Sequence, residues 1–385
     1  MAKLGEVSII NPKDKIDDEE MLVSFVPMQN VSEKGEIDTS DIRKAKDVMK
    51  GFTSFSEGDV LMAKITPCME NGKGAIAKGL CNNRGFGSTE FYVIRPKSSI
   101  VCSEWIYYYT ARKSFRLECE RNMTGSAGQK RVPKSYLEKC EIPTPPLETQ
   151  RKIASNLDKV THTIDLCNAI LEKLDLLAKS RFVEMFGEPS MNPMGWESTT
   201  IGKSCYYIKD GPHKSLPDVG EGNGYPFISV RNIVNGYIDF STARYISEED
   251  YIDSIKKCHP EKGDMLYSKG GTTGIAKLID VDIKFANWVH VAVLKFDETL
   301  NGVFFEHMLN SDYCYEQSQR LTKGIANRDL VLSAMAQIKM YKPPIKLQNQ
   351  FAAFVEQTDK SKSAVKKLLK KAETLKKALM QEYFG

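Results

Sequence analysis

The strongest constraint in the sequence is that it repeats. Pro145-Pro146-Leu147-Glu148-Thr149-Gln150 is answered 198 residues later by Pro343-Pro344-Ile345-Lys346-Leu347-Gln348. Glu184-Met185-Phe186-Gly187 is answered by Glu382-Tyr383-Phe384-Gly385 at the same offset, with no gap across the 43 positions from 145 to 187. Weaker echoes lie upstream. Phe55-Ser56-Glu57-Gly58-Asp59-Val60-Leu61 resembles Pro260-Glu261-Lys262-Gly263-Asp264-Met265-Leu266, Thr89–Arg95 resembles Val289–Lys295, and Gly35-Glu36-Ile37-Asp38 resembles Gly236-Tyr237-Ile238-Asp239. Their offset drifts between 200 and 205, as expected where loops changed length separately. The chain is therefore two copies of one plan, each a divergent globular part followed by a better-matched segment. Its 385 residues fit this, since about 150 residues per domain gives two or three domains.

Each matched segment reads as one long helix. In the first, Ile153, Leu157, Val160, Ile164, Cys167, Leu171, Leu174 and Ala178 follow a 4,3,4,3 spacing, a coiled-coil seam. Pro145-Pro146 blocks helix upstream, and Gly187 with Pro189 ends it downstream. In the second, Phe354, Thr358, Ser361, Val365, Leu368, Ala372, Leu375 and Leu379 give the same spacing, weakened by Thr358 and Ser361. At ~1.5 Å per residue each helix is ~60 Å long. A narrow apolar stripe on a long helix needs a partner. The two copies pair antiparallel as a coiled coil, or each packs on its own domain. The boundaries expected are globular parts at 1–142 and 188–340, with helical segments at 143–187 and 341–385.

The globular parts are mixed α/β or α+β. Short β-like runs occur at Val60–Ile65, Phe91–Ile94, Phe227–Val230 and His290–Lys295, and helical stretches at Ser103–Arg116 and Gly302–Glu316. Glycine-rich loops between them carry basic and hydroxyl residues in both halves. One set is Lys64, Thr66, Asn71, Lys73 and Lys78, against Ser268, Lys269, Thr272, Thr273 and Lys277. Another runs Thr124-Gly125-Ser126-Ala127-Gly128-Gln129-Lys130-Arg131, against Thr322-Lys323-Gly324-Ile325-Ala326-Asn327-Arg328. Arg231 joins them as a candidate. Cations, hydroxyls and loop N–H groups suit phosphates, while Gln, Asn and Arg suit base edges. Any single loop of this kind is equally a solvated glycine turn.

The net charge of +4 hides an asymmetry. Residues 360–385 hold eight lysines against two glutamates, leaving the remainder at −2. The basic tail suits phosphates, acidic partner chains or plain solvation. The nine cysteines lie at least thirteen residues apart with no C-x-x-C, which argues against a disulfide scaffold or a zinc site and for a reducing cytoplasm. No apolar run approaches a membrane span, and the start of the chain lacks the apolar stretch of a signal peptide.

Motifs for catalysis are missing. Gly202-Lys203-Ser204 resembles the end of a phosphate-binding loop, but Glu197 stands where its leading glycine belongs. Pro217-Asp218 and Asp282-Ile283-Lys284 lie too far apart to read as a metal-nuclease pattern, and His162, His213, His259, His290 and His307 show no ligand spacing, His290 reading as a strand residue. The prolines at 145–146 and 343–344 follow Thr144 and Lys342, not the Asn or Asp of amino-methyltransferases.

Two divergent regions, each followed by a Gly-Ser-Ala-Gly-Gln-Lys-Arg-like stretch, a Pro-Pro-Leu-x-x-Gln-like segment and a long helix closing on Phe-Gly, give the chain its family likeness. It resembles the specificity (S) subunits of type I restriction-modification systems over nearly its whole length. It departs from the pattern at Lys323–Asp329, where Gln-Lys-Arg becomes Asn-Arg-Asp. The resemblance implies two target-recognition domains, each reading one half of a split site in double-stranded DNA. It implies antiparallel helices in a pseudo-twofold arrangement that set the gap between half-sites. It also implies docking of two methyltransferase subunits, with restriction/translocase subunits joining them. S-adenosylmethionine, ATP and Mg²⁺ would reside on those partners, and this chain would hold no cofactor, no metal and no catalytic residue. Half-sites on one face of B-DNA lie ~34 Å apart per turn, a spacing that domains folded inward from the ends of such a rod can meet. Shortening each helix by four residues is expected to change the gap and leave the half-site sequences alone.

Overall fold

The computed structural model describes every residue except Ala127 and Ala326. The chain divides into two compact units, one comprising Met1–Asn168 and Lys367–Gly385, the other Ala169–Lys366. Neither expected helical segment forms a body of its own, because each long helix is shared between the units.

Unit 1 is built on two four-stranded sheets. The first runs in the order Ser8–Ile10, Phe91–Pro96, Val60–Ala63, Gly74–Ile76, antiparallel throughout. The second runs Ile42–Lys44, Leu22–Val26, Arg84–Gly87, Thr53–Ser56, with Leu22–Val26 parallel to Arg84–Gly87. Val60–Ala63 is buried at every residue, which explains its continuous apolar run. Two aromatic and aliphatic clusters flank this strand, one around Trp105 and Ile106, the other around Phe55 and Phe91.

Unit 2 repeats the plan. Its first sheet runs Cys205–Asp210, Val291–Phe296, Met265–Ser268, Ala276–Leu278. Its second has three strands, Arg244–Ile246, Tyr225–Ile228 and Ala286–Asn287, again with the last two parallel. The units differ after the edge strand. Unit 1 continues with a four-residue helix, Ala45–Val48, and the strand Thr53–Ser56. Unit 2 places a ten-residue helix there, Glu248–Lys257, capped by Ser247 and acidic in its first turn.

The weak echoes are real structural equivalents. Asp59 accepts from the Ser56 N–H at 2.8 Å, and Asp264 accepts from the Glu261 N–H at 2.8 Å. Arg95 then grips Asp59 and Asp14 at 2.7 Å, while Lys295 grips Asp264 and Glu261 at 2.6 Å. Asp38 and Asp239 each accept from the N–H of the residue two positions on, Ser40 and Ser241, at 3.0 Å. Carboxylates closing turns in this way explain why an aspartate recurs at these places.

The helical stretches are each broken in two. Ser103–Ala111 and Lys113–Arg121 are separated by an extended Arg112. Gly302–Leu309 and Asp312–Leu321 are separated at Ser311, whose hydroxyl accepts from the Cys314 N–H and starts a new helix. A continuous pattern of apolar residues did not reveal these breaks.

The two long helices are Leu147–Phe186 and Ile345–Phe384, forty residues each. Their origin is pinned by one glutamine in each copy. Gln150 is fully buried, donates to the carbonyls of Ile100 and Pro145 at 2.9 and 2.8 Å, and accepts from the Cys102 N–H at 3.1 Å. Gln348 donates to the carbonyls of Thr299 and Pro343 and accepts from the Asn301 N–H at 2.8 Å. Both N–H donors and the carbonyl oxygen of each buried amide serve the junction, so the motif is a structural clamp. Their ends are pinned by phenylalanine. In unit 1, Phe384 lies 4.3 Å from Trp105 between ring centres, and Arg112 donates to its carbonyl. In unit 2, Phe186 lies 4.8 Å from Phe304, and the Trp196 indole donates to its carbonyl at 2.8 Å. The orphan carbonyls of each last turn are thereby met by a side chain.

The first helix is protected along the stripe its spacing marks. Ile153, Leu157, Cys167 and Ala178 are buried, and Val160, Ile164, Leu171 and Leu174 are partly so. The second needs correction. Its protected residues are Phe351, Val355, Thr358, Lys362, Val365, Leu369, Ala372 and Lys376, while Leu368 and Leu375 are half exposed. Phe354 stands beside the stripe, with Arg181 over its ring, and Ser361 is exposed. Val365 and Leu379 hold as expected, both partly buried. Adding 198 to each seam position of the first helix gives the second seam residue for residue. Lys362 and Lys376 fill seam positions because a lysine stem covers apolar surface while its ammonium reaches outward. Lys362 pairs with Asp175 at 2.7 Å within unit 2.

Candidate nucleic-acid interface

In each unit the chain leaving the central strand is stitched to the segment that precedes the long helix. In unit 1, Lys64 N–H donates to the Glu90 carbonyl at 2.9 Å, Thr66 N–H to Lys130 at 3.0 Å, and Val132 N–H to Lys64 at 3.0 Å. In unit 2, Lys269 N–H donates to His290 at 2.8 Å, Gly271 N–H to Arg328 at 2.9 Å, and Leu330 N–H to Lys269 at 2.7 Å. Paired bonds between Thr124 and Arg131, and between Lys323 and Asp329, close a small loop in each. Gly125 and Gly324 make these loops possible. Both have positive φ, and a side chain at either would strike the carbonyl oxygen of Gln129 or Asn327.

This lattice fixes which residues correspond. Lys64 matches Lys269, Gln129 matches Asn327, Lys130 matches Arg328, and Arg131 matches Asp329. The last pair carries opposite charge because each closes a different internal ion pair. Arg131 grips Glu90 through two bonds, at 2.8 and 2.9 Å. That guanidinium holds the Glu90 carboxyl below the usual carboxylate range. Asp329 instead accepts from buried Lys269 at 2.9 Å, and Asp210 lies 3.5 Å away on the same ammonium.

The candidate residues therefore separate into two groups. Exposed at the loop tips are Gln129 and Lys130 in unit 1, and Lys323, Asn327 and Arg328 in unit 2. Asn71 and Thr272 are also exposed, and Arg231 projects with one bond, to the Thr242 carbonyl at 2.8 Å. The remainder make contacts within the fold, and Ser268, Lys269 and Thr273 among them are buried, against their reading as free loop contacts. Arg131 and Lys269 are committed to the ion pairs above. Ser268 is fully buried and accepts from the Ile275 N–H at 2.9 Å. Thr273 is buried with its hydroxyl 2.9 Å from that of Thr322. Thr66 donates to Glu70 at 2.7 Å, Lys73 reaches the Met28 carbonyl at 3.3 Å, and Lys64 lies over the Tyr92 ring at 5.4 Å. Lys78 and Lys277 pair with Glu104 and Glu306 on helices. Ala127 and Ala326, inside the matched loops, lie outside the described residues.

Unit 2 also holds a cleft of about 610 Å³ beside its loop, lined by Ser229, Arg231, Trp288, His290, Asn327 and Arg328 among others. An adjoining hollow brings in Arg244 and Phe227. Trp288, His290 and Arg244 come from chain segments far from the glycine loops, so no local spacing marked them. His290, expected in a strand, sits in the turn before Val291–Phe296.

The remaining sequence signals have ordinary explanations. Gly202 donates its N–H to the Ala336 carbonyl at 2.9 Å and packs on the Ala336 side chain, so Gly202-Lys203-Ser204 offers no phosphate cradle. Among the described residues no three acidic, histidine or cysteine side chains gather as a metal site. All nine cysteines are free thiols. Among the described residues, no helix is long and apolar enough to cross a membrane.

The matching family is described as the type I restriction modification DNA specificity domain, and it matches residues 1–176 and again 193–376. The chain is 43% identical over 170 residues to the EcoAI specificity subunit of Escherichia coli, covering 43% of this chain and 28% of that one. It is 28% identical over 309 residues to the MjaIX specificity subunit of Methanocaldococcus jannaschii, covering 75% of this chain and 66% of that one. The matched stretches thus span less than two thirds of these relatives. Among solved structures, a type I restriction-modification S subunit from M. genitalium aligns over 100% of this chain and 95% of its own, with a TM-score of 0.64 and 15% identity. A structure from work on assembly and conformational transition of the type I R-M system aligns over 100% and 96%, with a TM-score of 0.56 and 19% identity. With the family matched over both halves and the fold repeated twice, the chain belongs to the specificity-subunit family of type I restriction-modification systems.

Proposed function

We propose that each unit reads one half of a bipartite site in double-stranded DNA. The observation that carries this is the duplicated loop lattice. One backbone frame presents an exposed amide–cation pair twice, Gln129-Lys130 and Asn327-Arg328, beside surfaces that differ between the units. A cation on a fixed frame suits a phosphate, and a neighbouring amide suits a base edge.

The two long helices serve as an antiparallel coiled-coil spacer that sets the distance between half-sites. Partner methyltransferase subunits dock on the chain and bring S-adenosylmethionine, and restriction/translocase subunits bring ATP and Mg²⁺. This chain supplies recognition and no catalytic group, and it works in the cytoplasm. Supporting this reading, Gln129, Lys130, Asn327 and Arg328 are exposed at the loop tips while Ser268, Lys269 and Thr273 are buried within the fold.

The test is to co-express the chain with its methyltransferase partner and map methylated adenines genome-wide. A motif of two short blocks separated by a fixed unspecified gap is expected. One continuous block, or methylation without sequence preference, would overturn the reading.

A further inference from the structure

The two units differ most where the cleft of unit 2 lies, and the sheet registers show how. Phe227 pairs with Arg244 across the edge of the second sheet. In unit 1 the matching Phe25 donates its N–H to the Asp41 carbonyl, so Arg244 replaces Asp41. The turn aspartates place Asn232 on Asn30, each accepting at its carbonyl from the N–H of that aspartate at 2.8 Å, so Arg231 replaces Gln29. The parallel strand pair places Trp288 on Ser88. Three neutral or acidic positions of unit 1 thus become two arginines and a tryptophan.

These arginines are available. Arg231 and Arg244 are exposed, and neither forms an ion pair among the described residues. The acid lining the cleft, Asp329, is held by Lys269, and Asp218, near both guanidiniums, accepts from the Tyr245 and Gly220 N–H groups at 3.1 Å. Trp288 is partly buried and, like Arg231, lines both the cleft and the hollow beside it that Arg244 joins. Unit 1 handles its own arginine at this edge differently, since Arg43 pairs with Asp41 at 2.8 Å. A guanidinium fork matches O6 and N7 of guanine in the major groove, and this pairing is worth about 10- to 100-fold in discrimination against the wrong base.

We propose that Arg231 and Arg244, which line one hollow with Trp288, set base identity in the half-site read by unit 2, and that at least one of those bases is a guanine. This rests on the bipartite reading above and assigns different recognition chemistry to its two halves. Unit 1, with Gln29, Ser88 and Gln129 at its surface, carries no such guanidinium pair.

The experiment uses the full chain assembled with its methyltransferase partner. Methylated motifs are mapped for the wild type and for Arg231→Ala and Arg244→Ala, and binding is measured on duplexes carrying 7-deazaguanine, which lacks the N7 acceptor, at each guanine in turn. The expected result is relaxation at a guanine position in one half-site, with the other half-site and the gap intact. The matching 7-deazaguanine duplex should bind the wild type about 10- to 100-fold more weakly and lose its penalty in the corresponding variant. If a variant abolishes methylation altogether, the 7-deazaguanine series on the wild type decides. A bipartite wild-type motif that both variants leave unchanged, or guanines whose N7 is dispensable throughout, would overturn the proposal and leave the bipartite reading standing. A wild-type motif without two blocks would instead overturn that reading.

Discussion

The two units share a frame and disagree on charge. Where unit 1 locks its glycine loop with Arg131 on Glu90, unit 2 locks the matching loop with Lys269 on Asp329 and Asp210. Where unit 1 has Asp41 and Gln29, unit 2 has Arg244 and Arg231. The backbone bonds around these positions are nearly identical in length. A duplicated fold therefore keeps its hydrogen-bond lattice while exchanging the side chains that lattice holds. A cation in such a loop is not by itself a contact for DNA.

The comparison can be broken most severely at the helix ends. Phe384→Ala and Phe186→Ala each empty a buried aromatic site, and each should cost its own unit about 3–5 kcal/mol. Chemical denaturation followed by hydrogen exchange reads the two units separately. Damage confined to one unit by both substitutions would contradict their equivalence. The locks should respond unequally. Lys269→Ala removes a buried ammonium from Asp329 and Asp210, and although Lys257 still holds Asp210 at 2.8 Å it should cost about 2 kcal/mol. Arg131→Ala leaves Glu90 partly solvated and should cost less, since its ion pair is screened by solvent. Equal losses in the same denaturation experiment would refute the difference in burial.

The long helices show what the sequence could disclose. Their bounds were legible because prolines and Gly187 punctuate an otherwise unbroken 4,3 pattern. The first seam was legible because its apolar residues are strong. The second was misread by choosing the larger side chains, Phe354, Leu368 and Leu375, over the register that the repeat dictates. Leu369→Ala should therefore cost about 1–2 kcal/mol, and Leu368→Ala less than about 0.5 kcal/mol, by thermal or chemical melting. The reverse order would restore the seam first expected.

The loops were legible as a repeated feature but not residue by residue. Glu90 lies 41 residues from Arg131, and Asp329 lies 60 from Lys269, so nothing local announced that those cations were occupied. Trp288, Arg231 and Arg244 meet only because a parallel strand pair and an edge strand bring three segments together. Burial hid Ser268 and Thr273 for the same reason. A hydroxyl beside glycines reads as a phosphate contact until its backbone partner is seen.

A smaller effect separates the units in acid. The Arg95 guanidinium, helped by Ser56 and Arg84, holds the Asp14 carboxyl well below the usual carboxylate range. A depressed folded value means that the stabilisation is complete above the ordinary carboxylate pKa of about 4 and is lost as pH falls through the folded value. Asp14→Asn should thus lower the stability of unit 1 at neutral pH and flatten its decline below about pH 4, leaving unit 2 unaffected. An unchanged acid limb in unit 1 would remove Asp14 from the account.

The central proposal is that each unit reads one half-site and that the long helices set the gap between the half-sites. Removing residues 161–167 together with their repeat mates 359–365 takes one 4,3 period from each helix and preserves the seam. Methylation mapping of the co-expressed complex should then return both half-site sequences unchanged with a different gap between them. Both half-sites at the original gap would contradict the claim.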